Sequence, residues 1–196
     1  MKSGFFFDCH NTLINSNDAW VKAFTEHIGT EFTDEITISL YGKLKRREIA
    51  KQYGVDFELI EESANKYMVR NELLIDLIMD LKSSGSHLFI VSNAPRRRVE
   101  GDLDNVNIKH LFDEIYTGDE GGKRNNQLFD DVMEKYSLEF GFFIGNEEFD
   151  DHIDHSRIIS MVLTSFLKRR FHLIKDYVMD DCGVIVGKKQ VQLLGK

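Results

Sequence analysis

Three short segments of the sequence combine acidic, amide or hydroxyl side chains. These segments are Asp8–Thr12, Ser92–Asn93 and Gly145–Asp151. Carboxylate and amide oxygens are the ligands that a hard divalent cation such as Mg²⁺ prefers. A carboxylate held beside such a cation can also attack an electrophilic centre and form a covalent intermediate. Brought together, the three segments could therefore bind a cation and an anionic substrate.

Each polar segment directly follows an apolar run that is typical of a strand buried on both faces of a parallel sheet. The runs are Gly4–Phe7, His87–Val91 and Phe140–Ile144, and Met161–Leu163 is a fourth candidate strand. Strands that alternate with helical stretches predict an α/β fold with a doubly wound parallel sheet. Ligands of such sheets bind beyond the carboxyl ends of the strands, so the polar segments should converge there.

The segment between the first two strands has a different character, because its apolar residues recur at helical spacing without a strand-like run. The spacing predicts helices near 17–28, 34–41, 44–53, 57–70 and 71–84. We therefore expect a core of residues 1–16 and 82–196, with an all-helical cap of residues 17–81 over the strand ends. Alternating residues in Gly183–Leu193 predict a hairpin near the C-terminus.

Length and composition limit the classes of function. The chain has 196 residues and a net charge of -8, which predicts one principal domain without an extended nucleic-acid-binding surface. No run of about 18 apolar residues and no secretory signal pattern is present, so we expect a cytoplasmic protein without a membrane segment. Cys9 and Cys182 match neither a zinc spacing nor a disulfide framework, in line with a reducing compartment.

The motifs, in chain order, resemble the four motifs of the haloacid dehalogenase superfamily. Phe5–Leu13 resembles the first motif, an apolar strand followed by D-x-D-x-T-L, and Ile90–Asn93 resembles the second. Lys123–Phe129 is similar to the third motif of the phosphoglycolate-phosphatase-like branch, K-P-x-P-x-x-F, without its two prolines. Gly145–Asp150 resembles the fourth motif, G-D-x-x-x-D. The resemblance covers most of the chain and implies a Rossmann-like core with a helical cap.

The resemblance also implies an activity: Mg²⁺-dependent hydrolysis of a small phosphorylated metabolite, such as a nucleotide or a phosphosugar. It assigns Asp8 as both nucleophile and metal ligand. It assigns the backbone carbonyl of His10, together with Asn146 and Asp150, to the metal site. A cation is needed in this chemistry because a phosphate monoester repels an anionic nucleophile.

Other residues are assigned to the substrate by the same resemblance. Ser92 and the amides near it would hold the phosphoryl oxygens, and Lys123 would offset negative charge and orient Asp8. Thr12 and Asn93 are further candidates for substrate binding.

Lys43 and Arg96 complete the set of candidate substrate-binding residues. Lys43 lies with Arg46 in the predicted cap, where the two could select the substrate. The three arginines Arg96–Arg98 follow Pro95 in the first turn of a predicted helix, where positive charge opposes the helix dipole. An acidic partner, such as a second phosphate of the substrate, would offset that cost.

Two positions depart from the family pattern. His10 stands where the family has its general acid, and Asn146 stands where the fourth motif has its first acid. Histidine can carry a proton in both directions near neutral pH, so His10 is a candidate proton donor. The Asn146 amide removes one negative charge from the metal site, so we expect weaker Mg²⁺ binding. A nearby acid could compensate for that loss: Glu147, Glu148 or Asp151.

These departures leave two other interpretations open. In the first, Asp8 attacks a carbon or phosphonate substrate, as in the dehalogenase and phosphonatase branches. In the second, the chain is a catalytically reduced binding protein that has kept the fold. Product analysis separates the first from a phosphatase, and metal-dependent turnover that is lost in Asp8→Asn excludes the second.

Overall fold

A computed structural model describes residues 2–30, 36, 45–146 and 151–162. Five parallel strands form one sheet in the order β3-β2-β1-β4-β5. They are β1 Ser3–Phe7, β2 His87–Val91, β3 Glu114–Tyr116, β4 Phe140–Gly145 and β5 Ile158–Val162. The predicted α/β fold with a parallel sheet is confirmed. Because β1 is central, the residue that follows it lies between the ends of β2 and β4.

The register of the sheet brings the three polar segments together at the carboxyl ends of the strands. Phe7, the last residue of β1, pairs with Ile90 of β2 and with Ile144 of β4. The residues just beyond these pairs leave the sheet at about the same level. The carboxyl ends of the three strands thus present Asp8, Ser92 and Asn146 to a common space, as expected for an open parallel sheet.

Helices cover both faces of the sheet. Phe5 and Phe7 point into a core shared with residues of the helices between β1 and β2, whereas Phe6 points into a second core with Phe129 and Phe143. This alternation follows from the period of two along a strand. Two apolar faces, each covered by helices, make the sheet doubly wound.

Four described helices lie between β1 and β2, and two lie between β2 and β4. The first four are α1 Ser16–Ile28, α2 Arg46–Tyr53, α3 Phe57–Tyr67 and α4 Glu72–Ser83. The other two are α5 Arg96–Asn105 and α6 Asn126–Tyr136. Helix α1 packs on α3, with the Trp20 and Phe57 rings stacked 5.7 Å apart, whereas α4 packs on β2. The helical insert after the first strand is confirmed, and its domain limits at 17 and 81 stay a prediction.

The sequence patterns do not predict β3. This strand has only three residues, Glu114, Ile115 and Tyr116, all half-buried at one side of the sheet. A polar edge strand has no continuous apolar run, so its pattern does not stand out. The predicted helix near 34–41, apart from Ile36, and the predicted hairpin Gly183–Leu193 lie outside the described residues. No helix in the described ranges is long and apolar enough to span a membrane.

Candidate active site

Asp8 lies at the carboxyl end of β1 and is 5% exposed. Its backbone N–H donates to the Ile144 carbonyl at 2.8 Å, which fixes the side chain at the sheet edge. Oδ1 lies 2.7 Å from Lys123 Nζ, and Oδ2 lies 3.0 Å from the Thr12 hydroxyl. Burial raises the pKa of Asp8 to about 6, although the Lys123 ammonium acts in the opposite direction. The carboxylate therefore needs nearby positive charge to stay ionised in this site.

A tight turn after β1 brings Thr12 back to Asp8. The Leu13 N–H donates to the Cys9 carbonyl at 2.9 Å, and Asn11 adopts a left-handed conformation with φ 60°. Asparagine tolerates that conformation better than most residues. The Asn11 side-chain oxygen accepts a hydrogen bond from the Asn17 N–H at 2.8 Å, which ties the turn to the first turn of α1. Residues 8–12 are thus held rigidly at the start of the helical insert.

Lys123 bridges two buried carboxylates. It is 8% exposed, and its ammonium contacts both Asp8 and Asp151. Burial alone would lower the pKa of Lys123, but these two carboxylates outweigh it and raise the pKa. Lys123 lies in a 3-10 turn, Gly122–Arg124, whose position is fixed by a hydrogen bond from its own N–H to the Asn93 side chain at 3.0 Å. The lysine is therefore a permanent cation at the nucleophile.

Asp151 is the acid after β4 that the structure brings to this lysine. It is fully buried, and its Oδ2 accepts a hydrogen bond from the Asn146 N–H at 2.6 Å. Its other oxygen faces Lys123. Asp151 thus links the end of β4 to the lysine. Three further acids of this segment lie outside the described residues, so their metal roles stay predictions: Glu147, Glu148 and Asp150.

Three polar groups lie together beside Asp8: the His10 carbonyl, the Thr12 hydroxyl and the Asn146 carboxamide. One terminal atom of the Asn146 carboxamide lies 3.2 Å from Asp8 Oδ2, 3.1 Å from the His10 carbonyl oxygen and 2.9 Å from the Thr12 hydroxyl. If that atom is nitrogen, it donates hydrogen bonds to the carboxylate and the carbonyl. If it is oxygen, three acceptors face one another, and only a cation between them can compensate. Rotation of the amide interconverts the two arrangements.

The spacing of these oxygens fits a magnesium ion. Neighbouring ligand oxygens of an octahedral Mg²⁺ site lie about 3.0 Å apart, because each lies about 2.1 Å from the ion. One terminal atom of the Asn146 carboxamide lies at about that distance from two oxygens, 3.2 Å from Asp8 Oδ2 and 3.1 Å from the His10 carbonyl oxygen. Within the described ranges no three His, Cys, Asp or Glu side chains group as metal ligands.

Ser92 lies where β2 ends, as the sequence predicts. Its N–H donates to the Tyr116 carbonyl at 3.0 Å, and its hydroxyl oxygen accepts a hydrogen bond from the Ala94 N–H at 3.2 Å. The hydroxyl thus shapes the turn after β2 and keeps its own proton available for another acceptor. Its contact with phosphoryl oxygens stays a prediction, as does a substrate role for Thr12 and for Asn93, whose side-chain oxygen is engaged by the Lys123 turn.

His10 is held by a residue that no sequence motif singles out. Its Nε2 lies 2.9 Å from Oδ2 of Asp102 on α5, and both side chains are largely buried. Burial lowers the pKa of His10 despite the opposing effect of Asp102, and the Arg98 guanidinium lowers it further. A neutral ring that donates Nε2–H to Asp102 leaves Nδ1 as an acceptor. This arrangement works against the predicted role of His10 as proton donor.

The structure does not bring Arg96 to these residues as a free cation. Its guanidinium contacts Glu100 and Glu120, and donates to the Ile115 carbonyl at 2.9 Å. The Arg96 side chain therefore finds its acidic partners within the protein, and its charge needs no substrate to offset it. Lys43, the other predicted substrate-binding residue outside the strand ends, lies outside the described residues.

We expect Asn146→Asp to strengthen Mg²⁺ binding by about 10-fold or more, because it restores a negative ligand at the three-oxygen site. Calorimetric titration with Mg²⁺ measures the change. Asn93→Asp is the matched control, since it adds the same charge nearby without entering the ligand set. Equal strengthening by both variants would show a general charge effect and contradict the assigned ligand.

We expect Gly145→Ala to destabilise the protein by about 1–3 kcal/mol, because the new methyl group would overlap the buried Asp151 carboxyl group. Urea unfolding measures the change. Gly101→Ala in α5 is the control: its methyl group meets no atom within 4 Å, and alanine favours a helix. A neutral Gly145→Ala would mean that Asp151 has room to move away from the end of β4.

The sequence between residues 5 and 152 matches the family of haloacid dehalogenase-like hydrolases. This range contains Asp8, Ser92, Lys123 and Asn146, and it covers well over half of the chain. No match is found among curated proteins.

Solved structures show the same fold. A hydrolase from Streptococcus pneumoniae is 22% identical with a TM-score of 0.61, and the alignment covers 87% of this chain and 97% of that one. A HAD-superfamily hydrolase from Ehrlichia chaffeensis is 21% identical with a TM-score of 0.60, covering 93% and 100%. A protein described as a predicted phosphoglycolate phosphatase from Haemophilus somnus is 18% identical with a TM-score of 0.53, covering 82% and 84%. By its sequence match, and with this fold, the chain belongs to the haloacid dehalogenase-like hydrolase family.

Proposed function

We propose that this hydrolase is a Mg²⁺-dependent phosphatase that cleaves a small phosphate monoester through an aspartyl-phosphate on Asp8. One observation carries the proposal: the two oxygens of the buried Asp8 carboxylate have different surroundings. Oδ1 faces the Lys123 ammonium, and Oδ2 lies 3.2 Å from the Asn146 carboxamide, which also contacts the His10 carbonyl. A carboxylate placed between a fixed cation and a cation site suits attack on an anionic phosphorus centre.

Asp8, the His10 carbonyl and Asn146 would hold the magnesium ion. When bound, the ion supplies positive charge that reduces the repulsion between the carboxylate and the phosphate. Lys123 supplies a second, permanent positive charge at the same carboxylate, and Asp151 keeps the lysine in place. Thr12 fixes the orientation of the carboxylate through its hydroxyl.

The reaction has two steps in this proposal. The Asp8 carboxylate attacks phosphorus, the bond between phosphorus and the ester oxygen breaks, and the leaving oxygen takes a proton from solvent. Water then attacks phosphorus and loses a proton to solvent, the bond to Asp8 breaks, and phosphate leaves with the carboxylate restored. The Ser92 hydroxyl and the amides after β2 would hold the phosphoryl oxygens during both steps. The helical insert would exclude bulk water from the covalent intermediate.

Small phosphate esters are the favoured substrates. One structural relative is described as a predicted phosphoglycolate phosphatase, and substrates of that size would reach a carboxylate that lies beneath a helical insert. Phosphate release from a panel of phosphorylated metabolites, with Mg²⁺ and with EDTA, tests the proposal. We expect Mg²⁺-dependent release from at least one small monoester. Release from none, with folded protein and saturating Mg²⁺, would contradict the assignment.

A second candidate function is supported by the state of His10. A neutral His10 whose Nε2–H is donated to Asp102 does not readily protonate a leaving alkoxide. A halide leaves without a proton, so attack of Asp8 on a halogen-bearing carbon suits this arrangement better than cleavage of a poor alkoxide leaving group. Halide release from small haloacids, measured beside phosphate release from the monoesters, decides between the two candidates.

A further inference from the structure

A cluster of charged residues lies where the helical insert meets the core near Asp8. We call it the arginine cluster; it consists of Arg46 of α2, Arg98 and Asp102 of α5, and His10. Asp102 Oδ2 lies 2.9 Å from His10 Nε2 and 3.7 Å from Arg98 Nε. Arg46 is close enough for the charges of Arg98 and Asp102 to act on it.

The arginine cluster is next to the nucleophile. His10 is two residues from Asp8 in the turn after β1, and Cys9 lies between them. Two residues of chain span at most about 7 Å, so His10 stays close to Asp8, and the His10 ring contacts Asp102 of the cluster. A ligand bound to Asp8 by one end could therefore reach the arginines with its other end.

The cluster has more positive than negative charge. Two guanidinium groups share one buried carboxylate, Asp102, which is 8% exposed and already bonded to His10. The exposed Glu61 of α3 also acts on both arginines, but from beyond salt-bridge distance. Burial lowers the pKa of Arg46 to about 9, and repulsion by Arg98 adds to the effect. A half-buried cation without a close counter-ion is costly unless an anion completes it.

Arg46 differs in this respect from its neighbour Arg47. Arg47 is exposed and pairs with Glu58 at 3.3 Å. Arg46 has no carboxylate within 4 Å among the residues that the structure describes, and its guanidinium instead lies over the Trp20 ring at 4.3 Å. The aromatic face holds the guanidinium in place without neutralising it. Arg46 is thus preorganised for an anion that the described part of the protein does not supply.

The Trp20 side chain offers a further unfilled donor in the same place. Trp20 is 3% exposed, and its indole N–H has no hydrogen-bond acceptor within the described ranges. Buried donors normally have a partner, so an acceptor from a ligand or a water molecule is expected there.

From this geometry we infer that the arginine cluster binds a second anionic group of the substrate, a carboxylate or a second phosphate, while Asp8 receives the phosphoryl group. The inference rests on the proposed function and narrows the substrate to small monoesters with a distal anion. The planar guanidinium group matches the paired oxygens of both kinds of anion. An uncharged distal group would leave the surplus charge unbalanced.

Binding of four non-hydrolysable probes tests the inference at fixed free Mg²⁺. Phosphonoacetate carries a distal carboxylate, methylenebisphosphonate carries a second phosphoryl group, carbamoylmethylphosphonate is the neutral amide match, and methylphosphonate has no distal group. Trp20 is the only tryptophan of the chain, so its fluorescence reports directly on a ligand at the cluster. Phosphonoacetate and methylenebisphosphonate, which carry a distal anion, are called the dianionic probes below. We expect at least one of them to bind about 10-fold or more tightly than the amide and to change the fluorescence.

The variants locate the effect. Arg98→Met and Arg46→Met should bring the ratio of affinities between the dianionic probe and the amide close to one, and Arg98→Lys should keep part of it. Arg97→Met, an exposed arginine on the same helix, should leave the ratio unchanged. Equal affinity for the dianionic and amide probes in the wild type would overturn the inference. So would no measurable binding of any probe, or a preference that survives Arg98→Met and Arg46→Met.

The outcomes separate this inference from the proposed function. Hydrolysis of simple monoesters without preference for a distal anion would refute the cluster as a subsite and leave the phosphatase intact. A clear preference for the dianionic probes without release of phosphate from any ester would refute the phosphatase and leave the anion site intact.

Discussion

Asp8→Asn is expected to lower the turnover of p-nitrophenyl phosphate by about 10⁴-fold or more. The amide has the same shape as the carboxylate and can keep its contact with Thr12, but it is not a nucleophile and does not form the covalent intermediate. Steady-state rates at saturating Mg²⁺ measure the loss. Circular dichroism of the variant should match the wild type, since no side-chain volume changes.

Asp76→Asn serves as the control, because Asp76 is exposed on α4 and lies away from the strand ends. Turnover that persists in Asp8→Asn would place the chemistry on another residue. A wild-type protein that releases neither phosphate nor halide, yet binds a phosphonate probe, would support the interpretation of a reduced binding protein with a conserved fold.

Lys123→Met is expected to have the second largest effect, on both rate and stability. The ammonium is the only described cation that contacts both Asp8 and Asp151, so its removal leaves two buried carboxylates facing each other. We expect turnover to fall by about 10²–10³-fold, as when a fixed charge is removed from an active site. Removing one partner of a buried ion pair should also cost about 3 kcal/mol or more of unfolding free energy.

Rates and urea unfolding curves of the same preparation measure both parts of this expectation. Lys66→Met is the control, since Lys66 is exposed and pairs only with Glu62 in the described part of the chain. Wild-type turnover together with wild-type stability in Lys123→Met would show that the buried bridge between the two carboxylates is not formed in solution.

Much of the fold follows from local pattern in the sequence. The apolar runs that predict β1, β2 and β4 are long enough to be recognised, and each ends at the residue where the structure ends the strand or within one position of it. The spacing predicts a helix over 17–28, and α1 runs over Ser16–Ile28. Each of these elements buries one or both of its faces against a core, so the spacing of its apolar residues in the sequence indicates the type of element. Strand β3 has no such period, and no pattern predicts it.

The site could be predicted as far as its residues follow strands or, like Lys123, lie in a family motif. Asp8, Ser92 and Asn146 come directly after strands, and a parallel sheet must bring such residues to one edge. The partners that determine their charge come from elsewhere: Asp102 from the middle of α5, and Asp151 from beyond the fourth motif. No spacing rule joins His10 to a residue 92 positions away. Tertiary packing decides these pairs, and with them the protonation of His10.

Arg96 and Arg46 illustrate the same limit for substrate binding. The sequence singles out Arg96 because three arginines open a helix, but the turn after β3 supplies Glu120 as its partner. In the sequence Arg46 is, like Lys43, one basic residue of the predicted cap, and the fold distinguishes it by placing it over Trp20 and near Arg98. Whether a charged residue is available to bind a substrate thus depends on which charges the fold has already paired with it.

Rapid acid quenching of a single turnover tests the central claim most directly. Protein in excess over a hydrolysable monoester is quenched with acid at short times in Mg²⁺, treated with borohydride, digested and analysed by peptide mass spectrometry. Borohydride reduces an acyl phosphate to an alcohol, so a phosphorylated Asp8 becomes homoserine. We predict that homoserine appears at position 8 while substrate is being consumed and disappears when it is exhausted. Full release of phosphate with no modification of Asp8 at any time would contradict the account, and so would a phosphoryl group on another residue.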